Sequence, residues 1–340
     1  MAKGLRTFMP RMAGGLIMAV PAVIAMAGTL TGPAAAEAEL RAVSMFPRGL
    51  VYTQSFLGLV EQVNARGRGL VQIRFIGGPE AVPTTQQAEA LRTGVVDMIY
   101  GPGSYYPGLV PETDALIGSN ISPMEQRRNG GIALLNSIHE RKMNGHYLAH
   151  IDGGVSFHIY LKEPPGKSSD GGIDLNGLKL RAGPFYREFF TALGAVHVLI
   201  PAPEVYTALS RGAVDGIGWP SIGIMDFSWD QFLKVRIDPG FSQTDLGVLV
   251  NLDRWTALDP AARDLLESVA VAYEAESYQR SQALAASEDA ELRARGMDVI
   301  TLDAAAAQAY LATAYRSIWQ RLESRDDTHY QALRALFYRE

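Results

Sequence analysis

Apolar positions along this chain follow two alternating rhythms. Residues 40–45 and 70–76 have the period of a strand, and the second run puts Val71, Ile73 and Phe75 on one face. Between them Val51, Phe56, Leu59, Val60 and Val63 recur at helical spacing. Residues 84–93 predict a helix with Thr84 or Thr85 as its cap, and 95–100 predict a strand. Strands separated by helices predict an α/β fold with a mainly parallel sheet. Further on, 147–151 and 173–181 read as strands, and 161–172, rich in Pro, Gly, Ser and Lys, as an exposed loop. Residues 259–295 predict one long helix: Asp259 caps it, Pro260 takes the first helical position and Gly296 follows its end. At 1.5 Å per residue it would span roughly 50 Å, enough to bridge two lobes. Residues 304–322 and 330–337 predict closing helices.

A ten-residue stretch occurs twice. Ala90-Leu91-Arg92-Thr93-Gly94-Val95-Val96-Asp97-Met98-Ile99 matches Ala208-Leu209-Ser210-Arg211-Gly212-Ala213-Val214-Asp215-Gly216-Ile217, and a proline soon follows each copy (Pro102, Pro220). Each copy reads as a helix stopped by a left-handed Gly cap, then a buried strand. Two such units predict two similarly built lobes. Asp97 and Asp215 hold the same place in both, which predicts a shared structural bond rather than a catalytic acid pair.

The first 36 residues have a different texture. Lys3, Arg6 and Arg11 precede an apolar run from Met12 to Leu30 that Gly14, Gly15 and Pro21 interrupt; Gly32-Pro33-Ala34-Ala35-Ala36 then offers a small-residue cleavage site. This is the layout of a secretory signal peptide, with cleavage expected near Ala36 and a periplasmic product. The whole chain of 340 residues has a net charge of −5, and its leader contributes only basic charge. Such an acidic chain is a poor partner for nucleic acid. With no cysteine, it is neither lipid-anchored through one nor held by disulfides.

Catalytic and cofactor motifs fail on inspection. Trp219-Pro220-Ser221-Ile222-Gly223 lacks the first Gly of a nucleophile elbow, and Leu161 stands where a phosphate loop ending in Gly166-Lys167-Ser168 needs Gly. His146 and His150 are four apart, a helical chelating spacing, but they fall on a strand reading and point to structural roles. No enzyme activity and no cofactor are expected.

From residue 174 onward the chain resembles a known family. Asp174-Leu175-Asn176-Gly177-Leu178-Lys179-Leu180-Arg181, Leu193-Gly194-Ala195, Pro203-Glu204-Val205-Tyr206-Thr207-Ala208-Leu209 and Gly212-Ala213-Val214-Asp215-Gly216 occur in the order seen in receptors of tripartite ATP-independent periplasmic (TRAP) transporters. Asn251-Leu252-Asp253-Arg254-Trp255 fits as well. The resemblance implies a two-lobed periplasmic binding protein with crossing strands and a lobe-spanning helix. The lobes would comprise 37–155 with about 247–285, and 156–246 with about 286–340. It further implies a small organic acid as ligand and one small and one large membrane subunit as partners, with the receptor a monomer or a dimer. Arg181 would bind the ligand carboxylate, and its planar fork suits that task.

Two departures from the family shape the expected ligand. The second Arg and the Asn of sialic-acid-type receptors are replaced, near Ser156 and at Trp219. Trp219 resembles the branch for 2-oxo and 2-hydroxy monocarboxylates, some of which bridge ligand to protein through a metal held by acids. Here Gly218 and, at the later acidic position, Gln243 replace such acids, so no metal is expected. Tyr100, Tyr105 and Trp219 offer flat walls, and Ser156, Phe157, Phe185 and Pro220 complete the candidate set. A hydroxy-, oxo- or sugar-acid monocarboxylate is favoured. The alternatives are a C4-dicarboxylate receptor, a receptor feeding a sensor kinase, or a periplasmic hydrolase.

Overall fold

The computed structural model describes residues 37–168, 172–325 and 327–339; the expected leader lies outside them. The first sheet is fed by β1 (Ala38–Ser44), α1 (Val51–Arg66), β2 (Val71–Gly77), α2 (Gln87–Arg92) and β3 (Met98–Pro102). Then come α3 (Asp114–Ile117), α4 (Pro123–Arg128), α5 (Gly131–Met143) and β4 (Gly145–His150). The chain crosses to a second sheet through β5 (Phe157–Leu161), the two-residue hairpin β6 (Gly166–Lys167) and β7 (Ile173–Asp174), β8 (Lys179–Arg181), α6 (Arg187–Ala192), β9 (Val196–Val198), α7 (Val205–Ser210), β10 (Gly216–Pro220) and β11 (Val235–Phe241). It returns through β12 (Leu246–Asn251) and α8 (Leu252–Ala257), then runs along α9 (Pro260–Ala294) to β13 (Asp298–Thr301), α10 (Ala304–Arg325) and α11 (Asp327–Phe337).

The strand orders β2-β1-β3-β12-β4 and β13-β11-β5-β10-β8-β9 give two lobes, in agreement with the expected α/β architecture. Each lobe takes one strand from the far side of a crossing: β5 runs antiparallel to β10, and β12 antiparallel to β3. The repeated decapeptide is the shared unit. The Asp97 carboxylate accepts from the Arg41 N–H at 2.8 Å, and the Asp215 carboxylate accepts from the Lys179 N–H at 2.8 Å. Each aspartate thus fastens the start of its strand to the neighbouring one. Gly94 and Gly212 both sit at positive φ, +75° and +67°, the conformation their helix ends require.

α9 matches its sequence reading closely. Asp259 Oδ1 accepts from the Ala261 N–H at 2.8 Å, which satisfies one of the helix's free amides. The helix touches both lobes. Glu274 pairs with Arg127 at 2.7 Å and accepts from the His150 N–H, while Glu288 accepts from the Gly223 and Met225 amides of the second lobe. Burial holds the His150 imidazole down at about 4, so it stays neutral at its post between Gln126 and the Thr244 carbonyl.

Three local expectations change. Thr84 and Thr85 do not cap a helix through their side chains: 84–86 form a single tight turn, and the Thr84 hydroxyl donates to the Met45 carbonyl. The run 173–181 is split by a turn at Gly177, whose φ is +75°. The last helix was expected in the second lobe; α11 packs on α10, which itself lies against α6 and β11 of that lobe, and also on α3 and α5 of the first, with Leu333 and Phe337 fully buried. Among the described residues no helix is long and apolar enough to cross a membrane.

Candidate functional site

The strand ends of both lobes meet at a cavity of about 50 Å³. The second lobe contributes Arg181 at the end of β8, Phe185 and Tyr186 in the turn before α6, and Gly218, Trp219 and Pro220 on β10. The first lobe contributes Phe46, Tyr52, Ser104 and Tyr105, with Thr244 and Asp245 from the crossing into β12. A wider hollow of about 280 Å³ shares Phe46, Tyr105, Arg181 and Gly183 with it and is lined further by Pro184, Leu199 and Pro201.

Arg181 is 2% exposed. Its Nε donates to the Ile200 carbonyl at 2.8 Å, and its guanidinium lies 5.4 Å from the Trp219 ring centre. The Tyr105 and Tyr186 hydroxyls stand beside it, and no carboxylate of the described residues lies within 4.0 Å. Burial pushes this guanidinium below its ordinary value. A buried cation without a counter-ion costs several kcal/mol, on the order of the penalty for any unpaired internal charge. The remaining donors of its fork are therefore poised for an anion. The Tyr186 hydroxyl is buried without a hydrogen-bond partner in the same cavity.

Of the residues singled out in the sequence, Arg181, Trp219, Tyr105, Phe157, Phe185 and Pro220 line this one cavity. Tyr100 does not: its ring stacks on Phe56 at 4.9 Å and its hydroxyl donates to Asp152 inside the first lobe, because β3 is covered on both faces. Ser156 lines a separate surface hollow with Ser119, Gln243 and Tyr278. Gln243 does not hold the later acidic position in the cavity either: its amide is spent on the Ile121 carbonyl at 2.8 Å and the Gly154 N–H at 3.0 Å. The acid that faces the cavity is Asp245, two residues on. Its Oδ2 accepts from the Ser104 N–H at 2.8 Å, and burial pushes its carboxyl up to about 6.

Phe46, Tyr52, Ser104, Tyr186, Thr244 and Asp245 escaped the sequence reading. The one sequence signal for Asp245 was an acid set between the two apolar crossing strands. Gly218 has a clear reason to be glycine: a Cβ there would lie 2.4 Å from the Tyr186 ring. The ring occupies the volume that a side chain at 218 would need.

Fold and cavity together have the build of a two-lobed solute-binding protein. Residues 166–326, just under half of the chain, match the family described as bacterial extracellular solute-binding protein, family 7 (DctP). It is 25% identical over 245 residues to a monocarboxylate 2-oxoacid-binding periplasmic protein of Nostoc, covering 68% of this chain and 65% of that one. A solute-binding protein of Albidiferax ferrireducens is 26% identical over 219 residues, covering 59% of this chain and 61% of that protein. The chain thus spans somewhat under two thirds of these two relatives. Among solved structures, a TRAP solute-binding protein of Desulfovibrio salexigens with bound orotic acid overlays with a TM-score of 0.77 at 18% identity, covering 88% of this chain and 97% of that one. One of Bordetella bronchiseptica, with copurified calcium and picolinate, gives 0.75 at 21%, covering 89% and 91%. One of Pseudoalteromonas atlantica, with sodium and pyruvate, gives 0.76 at 16%, covering 88% and 93%. The fold is that of TRAP periplasmic solute-binding proteins.

The cavity's donor set does not fit a hard cation of the kind in two of those structures. Such an ion takes six or more oxygens, several of them charged. Here Asp245 is the single lining carboxylate, one of its oxygens is engaged, and Tyr186 fills the space at 218. Among the described residues no three His, Cys, Asp or Glu side chains cluster to hold a metal.

Proposed function

We propose that this chain is the extracytoplasmic receptor of a TRAP transporter and closes its lobes on a small organic monocarboxylate anchored by Arg181. The observation that carries the reading is a buried guanidinium with no acidic partner among the described residues, at the meeting of the two lobes. Tyr105 and Tyr186 add hydroxyl donors, and Trp219 and Phe185 form apolar walls for the carbon frame. The 2-oxoacids and small ring acids named for its relatives share this carboxylate. A C4-dicarboxylate is disfavoured, since its second charge would face Asp245. The family's setting implies release into the periplasm after cleavage near Ala36, and delivery to one small and one large membrane subunit.

A screen of organic acids by thermal shift tests this, because a ligand that binds only the folded state raises its midpoint. Monocarboxylates should stabilise the protein, and chelator should leave the effect intact. Stabilisation by neutral sugars and not by any carboxylate refutes the proposal.

A further inference from the structure

Two ionisable groups of opposite sign line the cavity, and the protein neutralises neither. Among the described residues Arg181 has no acidic partner within 4.0 Å. Asp245 is 2% exposed, and no Lys, Arg or His nitrogen of the described residues lies within 4.0 Å of it. The two are also not within 4.0 Å of each other, so the cavity separates them. Tyr105 senses both: burial raises its hydroxyl most, Arg181 opposes that, and Asp245 adds to it.

A ligand with only a carboxylate satisfies Arg181 and leaves Asp245 as a like charge in the same dry space, or forces it to take up a proton. A metal would relieve that repulsion, but the donor set does not suit one. A ligand carrying its own cation relieves it directly. The walls agree: Tyr52, Tyr105, Tyr186 and Trp219 surround the space with rings, whose faces attract a desolvated cation. Asp245 lies on the first lobe, hydrogen-bonded to Ser104, while Arg181 lies on the second. A molecule holding both groups would draw the lobes together at its two ends.

We propose that the cavity is built for an amphoteric acid, its carboxylate on Arg181 and a protonated amine or ring nitrogen of the same molecule on Asp245. This rests on the reading of the cavity as a carboxylate receptor and narrows its substrate class.

Matched pairs that differ by one nitrogen test it: proline against cyclopentanecarboxylate, pipecolate against cyclohexanecarboxylate, and 4-aminobutyrate against pentanoate, each titrated calorimetrically into the full chain after dialysis. In at least one pair the nitrogen-bearing acid should bind tenfold or more tightly. Asp245→Asn should erase that gap, so that both acids of a pair bind the variant equally. Equal binding within every pair, or a gap that survives Asp245→Asn, overturns the proposal while leaving the carboxylate reading intact. So does loss of binding on adding chelator, which would place a metal on Asp245. If Arg181→Ala leaves the acids bound, the carboxylate reading itself fails. If no pair binds, mass spectrometry of solute carried through purification decides, and a carried acid without a basic nitrogen overturns the proposal.

Discussion

Replacing Arg181 by Met separates a binding group from a structural one, because the two roles predict opposite outcomes. The side chain is 2% exposed and lacks a counter-ion, so the free protein bears a desolvation cost of several kcal/mol, roughly that of an unpaired internal charge. Methionine removes that cost with similar bulk. Against it stand the lost Nε bond to the Ile200 carbonyl, about 1–3 kcal/mol for an acceptor left unmet, and the contact with Trp219, up to about 2 kcal/mol. These terms nearly cancel, so the ligand-free midpoint should move by no more than about 5 °C either way. Binding behaves differently. A bound carboxylate would lose its only charged partner, at about 3–5 kcal/mol, which is on the order of two to nearly four decades in Kd. Arg181→Lys keeps the charge but not the fork and should fall between, with a loss of roughly 1.5–3 kcal/mol. Differential scanning fluorimetry with and without ligand reads both effects in one experiment. A ligand-free midpoint lowered by more than about 10 °C, or a ligand-induced shift that persists in Arg181→Met, would refute the assignment.

Other consequences follow from single contacts. The Asp226 carboxylate of the second lobe accepts from the Val51 N–H, the exposed start of α1 in the first lobe, at 2.8 Å; Asp226→Ala should loosen closure by about 1 kcal/mol, seen as roughly fivefold weaker binding and a larger radius of gyration of the liganded protein by scattering. Unchanged values would show that the contact does not help to hold the lobes shut. Gly218→Ala should lower the midpoint and weaken binding, since Tyr186 must give way to the new methyl; a neutral result in both would mean the ring moves freely. Asp245 titrates higher in the folded chain, about 6, than in the unfolded one, so the folded state holds the extra proton between the two values and stability falls as pH rises from about 4 to 6. Asp245→Asn should flatten that part of the stability curve, and identical slopes for the two proteins in chemical denaturation would contradict it.

Much of the scaffold was legible because local rules and burial agreed. Asp259, Pro260 and Gly296 bounded α9 because caps act through their own backbone neighbours. The paired decapeptides announced two lobes because one local problem, stopping a helix and fastening a strand, was solved twice with an aspartate. The cavity was half legible. Arg181 and Trp219 came from the family resemblance, whereas Tyr100 was misplaced because β3 is buried on both faces and period-2 alternation says nothing about which side a tyrosine takes. Asp245 and Tyr186 escaped for another reason. Their importance depends on what lies opposite, Ser104 in one case and Gly218 in the other, and these partners come from distant parts of the chain. Likewise α11 could be read as a helix but not fully placed, since beyond its neighbour α10 its partners α3 and α5 come from a distant part of the chain.

The repeated unit sets the order of events in capture. Arg41 and Lys179 make the same bond to Asp97 and Asp215, so Val43 corresponds to Arg181 and Gly101 to Trp219. The guanidinium and the indole therefore belong to one copy alone. On the proposed reading of Arg181 as the anchor, an incoming acid would meet the second lobe while the molecule is still open, and the first lobe would arrive afterwards. Stopped-flow traces should then resolve a fast phase whose rate grows with ligand concentration, followed by a slower one that levels off at the rate of closure.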